Sequence, residues 1–98
     1  MPPKYNPATP VIFRIIGGEC IALFPTLAGT YDINTCQSYM HIGQHGAASI
    51  DLGKTCRLAT RKEYMPLKKE LQGIGYKLHV VTKVAPSHHV ERKLALQH

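Results

Sequence analysis

The chain has 98 residues, 44% hydrophobic and 18% charged, with a formal charge of +6. That bounds it to one globular domain with a single core, and excludes coil-forming and collagen-like compositions. No apolar run approaches the roughly 18 residues that span a bilayer, and "MPPKYNPATP" offers no apolar signal core, so the expectation is a cytoplasmic protein with no membrane partner.

The charge is uneven. Residues 1–53 carry Lys4 and Arg14 against Glu19, Asp32 and Asp51, a net −1; residues 54–98 carry ten Lys and Arg against Glu63, Glu70 and Glu91, a net +7. A basic half of this kind suits nucleic acid or an acidic protein. Cys20, Cys36 and Cys56 are odd in number and widely spaced, which is a pattern of free thiols, not of a disulfide framework.

Residues 1–10 hold four prolines and read as a flexible arm. "VIFRIIGGECIALF" reads as a hairpin turning at Gly17-Gly18, because glycine accepts the positive φ that a tight turn needs. That register sets Ile16 opposite Glu19, Ile15 opposite Cys20 and Phe13 opposite Ala22. One face is then Val11, Phe13, Ile15, Cys20, Ala22 and Phe24, and it is assigned to the core. The other face, with Ile12, Arg14, Ile16, Glu19, Ile21 and Leu23, is mixed. "TLAGTYDINT" is loop by composition. A strand over Gln37–Gly43 follows, running into a glycine turn.

"TRKEYMPLKKELQGIG" is the clearest helix. Thr60 and Glu63 form a capping box, and Tyr64, Leu67, Leu71 and Ile74 make its buried stripe. Gly73 or Gly75 stops it. Pro66 removes an internal hydrogen bond and predicts a kink or a 3₁₀ first turn. "YKLHVVTKV" alternates and reads as a half-buried strand over Tyr76–Val84. Residues 85–98 form a tail, frayed or a short helix capped by Ser87. The expectation is an α+β fold in the order β-β-β-α-β: a small antiparallel sheet, made of the N-terminal hairpin plus two further strands, with one main helix on one face. The domain spans 11–84.

From about residue 11 to 84 the chain carries "VIFR", a hairpin turn, "IALFP", "GTYD", "TCQSYMHIGQHGAA", then "AT", "EY", "L" and "EL", and finally "IGYKLHVV". In these blocks it resembles a group of small bacterial proteins carried among phage and other mobile-element genes. The resemblance implies a compact stand-alone module and no particular reaction. The Gly17-Gly18 turn, Cys56 and the tail after Val84 look peculiar to this chain.

The block "CQSYMHIGQHGAAS" concentrates the reactive side chains. Cys36, His41, His45 and Cys56 are of zinc-ligand type, but four residues of strand hold His41 and His45 about 13 Å apart. A helix over residues 37–46 sets them one turn apart but is disfavoured by Gly43 and Gly46; a tight turn at Gly43 also brings them together, and the spacing matches no standard zinc motif. Cys36 with His41 or His45, oriented by Asp32 or Asp51, is a possible nucleophile set, yet no nucleophile signature surrounds it. No cofactor is expected. The favoured reading is a sheet surface of Gln37, Tyr39, His41, Gln44 and His45 that binds a protein partner or serves as a structural network. The alternative is nucleic-acid binding through Arg57, Arg61, Lys62, Lys68, Lys69, Lys77 and Lys83, with Tyr39 and Tyr76 stacking on bases. The oligomeric state is open; a short edge strand allows edge pairing.

Overall fold

A computed structural model describes residues 8–40, 44–50 and 56–96. The chain order is β1 (Thr9–Ile16), β2 (Glu19–Ala28), β3 (Thr35–Met40), β4 (Gln44–Ser49), α1 (Arg61–Gly73), β5 (Leu78–Val80) and α2 (Pro86–Leu96). The strands form one mixed sheet in the order β4-β3-β2-β1-β5. No described helix is long and apolar enough to cross a membrane.

The hairpin has the expected register, with Ile16 opposite Glu19, Ile15 opposite Cys20 and Phe13 opposite Ala22. Gly17 and Gly18 both take positive φ, 56° and 83°, the conformation a tight hairpin turn demands. Val11, Phe13, Ala22 and Phe24 are buried under α1 together with Tyr39, Leu67 and Leu71. Stacked rings fix the helix there: Tyr64 lies on Phe13 with centroids 4.6 Å apart, and Tyr76 on Phe24 at 5.2 Å.

The capping box of α1 is present, with Thr60 Oγ1 accepting from the Glu63 N–H and the Glu63 carboxylate accepting from the Thr60 N–H. The first turn is α, not 3₁₀: the Tyr64 N–H donates to the Thr60 carbonyl, and the helix runs on through Pro66. It ends at Gly73 with Ile74 as its C-cap, and Gly75 beyond the cap takes a φ of 110°. The Gly75 N–H donates to Gln72 and the Tyr76 N–H to Leu71, the paired closing bonds of a Schellman motif. That turn delivers Tyr76 back onto the core.

Ile74, expected in the buried stripe of α1, is exposed, and four expectations about the sheet change. The sheet has a strand more than expected, because the Gly- and Ala-rich stretch Gln44–Ser49 pairs along all of β3. The third strand begins earlier than expected, at Thr35. The expected strand over Tyr76–Val84 shortens to three residues that pair in parallel with Thr9–Val11, leaving the sheet mixed. The hairpin's second face is also buried: Ile12, Ile21, Leu23 and Cys36 form a second cluster, covered in part by Val81 and Val84.

Val81 and Val84 lead into α2, an ordered helix in contact with β2. Its start is closed by His88, not Ser87. The Ala85 N–H donates to His88 Nδ1 at 2.9 Å while the His88 N–H donates to the Ala85 carbonyl. Pro86 occupies the first helical position, where its missing N–H costs nothing. Arg92 is fully buried. Its Nε donates to the Ile33 carbonyl at 2.8 Å, one terminal nitrogen to the Pro25 carbonyl at 2.6 Å, and the other to His89 Nδ1 at 2.5 Å. A planar fork of five donors suits such scattered acceptors, so Arg92 ties α2 to the bulge of β2 and to the β2–β3 loop.

Candidate functional site

Side chains alternate across β3. Cys36 faces the second cluster, whereas Tyr39 faces the α1 cluster. Helix α1 covers β1 and β2 and leaves the same face of β3 and β4 bare at Gln37, His45 and Ala47, all exposed. These residues sit side by side, with Gln37 opposite Ala47 and Tyr39 opposite His45. They form a ledge beside the helix.

Tyr39 is buried, so it is the floor of the ledge and not part of its surface. Its hydroxyl donates to the Glu70 carboxylate of α1, and the His45 ring meets it edge-on at 4.7 Å. Gly29 closes one end. A Cβ there would lie 2.5 Å from the Cys36 carbonyl oxygen and 2.9 Å from the Ala47 Cβ, so only glycine lets the β2–β3 connection pass this close. The loop beyond is fixed by its own polar side chains: Asp32 Oδ1 accepts from the Asn34 N–H, and Thr35 Oγ1 donates to the Asp32 carbonyl. His41 lies outside the described residues, as does Asp51. Gln44 is placed by its backbone as the first residue of β4.

The two edges of the sheet differ. The outer side of β1 is covered in two pieces, by β5 along Thr9–Val11 and by residues 57–59 along Phe13–Ile15. Strand β5 is three residues long with Lys77 before it and Lys83 soon after, features that discourage edge pairing. Strand β4 is six residues, "QHGAAS", without a formal charge or a proline, and it is the last strand on its side. Sequence reading missed this edge, because small residues carry no alternating signal.

Cys36 and His45 lie on opposite faces of the β3–β4 ladder, which rules them out as ligands of one ion. Among the described residues no group of three or more His, Cys, Asp or Glu is placed to hold a metal. Burial raises the Cys36 thiol above its ordinary value, outweighing the nearby Arg92, and this keeps it protonated and poorly nucleophilic.

The basic residues fall into separate groups. Arg57 is spent on Glu63, with contacts of 2.6 and 2.7 Å; that guanidinium and the Thr60 N–H pull the Glu63 carboxyl down to about 2. Arg61, Lys62, Lys68 and Lys69 ride on α1, whereas Lys77 and Lys83 flank β5. Tyr76 is stacked on Phe24 and Tyr39 is buried, so the two tyrosines expected to stack on bases are both committed to the core. Compared with protein-family models, curated proteins and solved structures, the chain matches none.

Proposed function

We propose that the protein is a binding module that takes an extended segment of a partner protein onto the outer edge of β4. Backbone groups of the edge supply the affinity of such strand addition, and side chains beside it supply specificity. The supporting observation is the asymmetry of the sheet: one edge is short and flanked by lysines, whereas β4 is long, uncharged and free of proline. His45, on β4 itself, stands beside an added strand and offers it an imidazole, while Gln37 lies one strand further in on the same ledge.

The test is capture of partners from a lysate at 100 and 500 mM salt. Wild type is compared with His45→Lys/Ala47→Lys, which places two cations on the edge. Wild type is expected to retain the same polypeptide at both salts and the variant to lose it, with slowed hydrogen exchange of β4 amides in the complex. Unchanged exchange in β4, or equal capture by the variant, would overturn the reading. A wild-type dimer that the variant converts to monomer would assign the edge to a second copy of this chain.

A further inference from the structure

The α1 sequence contains a repeat, Arg61-Lys62-Glu63 and Lys68-Lys69-Glu70. Its period of seven is almost two helical turns, so matching positions lie on one face about 10 Å apart. At 3.6 residues per turn, Lys62 and Lys69 fall opposite the buried Leu67 and Leu71. Arg61 and Lys68 flank them on one side, and Glu63 and Glu70 fall on the other. Both carboxylates are occupied there, Glu63 by Arg57 and Glu70 by the Tyr39 hydroxyl. The outward arc of α1 therefore carries four cations, with Lys68 half-buried at one margin, while the two engaged carboxylates sit at the other margin.

A second observation agrees. Arg61 and Lys62 stand in the first turn, at the positive end of the helix dipole, and the last turn has no basic residue. Glu63 supplies the favourable first-turn carboxylate within the capping box, but the two cations beside it gain nothing from the dipole and leave the turn net positive. An anion at the start of α1 would meet both side chains together, the Thr60 and Glu63 N–H groups being already taken by the capping box.

From this we infer that the outward arc of α1 is a binding surface for the phosphate backbone of a nucleic-acid duplex, independent of sequence. The arc lacks an aromatic or exposed apolar centre: Met65, which falls between the two ranks of cations, is half-buried, and the exposed Pro66 lies beyond Lys62 toward the carboxylate side. A protein interface is built around such a centre, usually with an aromatic anchor. The arc also lacks the aromatic platform on which single-stranded bases stack. What it offers is point charges in two ranks, the equipment for phosphate contacts.

The test is binding of a labelled 20-base-pair duplex by anisotropy between 50 and 200 mM salt. Four phosphate contacts predict a loss of affinity of roughly 100-fold over that range, and about 10-fold when Lys62→Ala/Lys69→Ala removes one rank. Lys93→Glu on α2 changes net charge by the same two units and is expected to leave the slope near that of wild type. Absence of duplex binding at 50 mM salt overturns the inference. So does an equal change with Lys93→Glu, which would mean diffuse net charge. Tighter binding of single-stranded DNA or of polyglutamate overturns it in favour of a base-stacking or an acidic-protein surface. The variants used here leave β4 untouched, so this inference and the strand-addition reading fail separately.

Discussion

Arg92 bonds two backbone carbonyls, of Pro25 and Ile33, that lie far back in the chain. Lysine keeps the charge but cannot fork to separated acceptors, and a buried carbonyl left unpaired costs about 1–3 kcal/mol. Arg92→Lys is therefore expected to lower stability by about 2–4 kcal/mol in urea unfolding, and a loss below ~0.5 kcal/mol would show that the fork is dispensable. His88 acts nearby through its neutral form. Burial holds its imidazole below the ordinary 6.5, helped by His89, Arg92 and His79 and opposed by Glu91. With the native value depressed, the unfolded chain takes up the proton first as pH falls. The contribution of His88 is thus complete above 6.5 and declines below it. Glutamine reaches back to the same N–H as the reciprocal half of a capping box but does not titrate. The melting temperature of His88→Gln is expected to fall less than that of wild type from pH 7 to pH 5; parallel curves would remove His88 from the acid response.

At the scale of elements, α1 stands on Leu67 and Leu71, both buried. Leu71 is inaccessible, so Leu71→Ala is expected to destabilise by about 2–5 kcal/mol, and a shift under ~1 kcal/mol would deny the helix its packing face. The hairpin and this helix were legible in the sequence because their determinants are local: a Gly-Gly turn, a capping box, an apolar stripe. Strand β4 was not, since Gly46, Ala47 and Ala48 signal no face of their own and take their register from β3. The burial of Ile12, Ile21 and Leu23 depends on the chain around residues 81–84, and nothing near the hairpin foretells it. Of the candidate surface, Gln37 lies exposed on a strand that was expected, whereas His45 sits on β4, beyond the expected strand. Tyr39 was misread because period-2 alternation says which residues share a face, not how far a neighbouring helix extends over it.

For the whole molecule, the separation of charge in the sequence becomes a separation of surfaces. The β3–β4 side presents small and neutral groups, while the outward arc of α1 carries four cations. The two differ in what they respond to: added salt screens the helix, whereas hydrogen bonds along a strand edge are far less sensitive to it. The two proposed contacts are thus ones that a change in ionic strength can tell apart.

The parallel pairing of β5 with β1 joins Thr9 to Leu78 and Val11 to Val80, so the first strand meets its last neighbour only when four-fifths of the chain exists. Closing so long a loop is entropically costly and slow. During synthesis the N-terminal hairpin therefore emerges with both apolar faces bare, and waits for α1 and then for the segment around Val81 and Val84 to cover them. Until those segments arrive, an element whose turn and register are set locally exposes two apolar faces, the kind of surface that makes a folding chain adhesive.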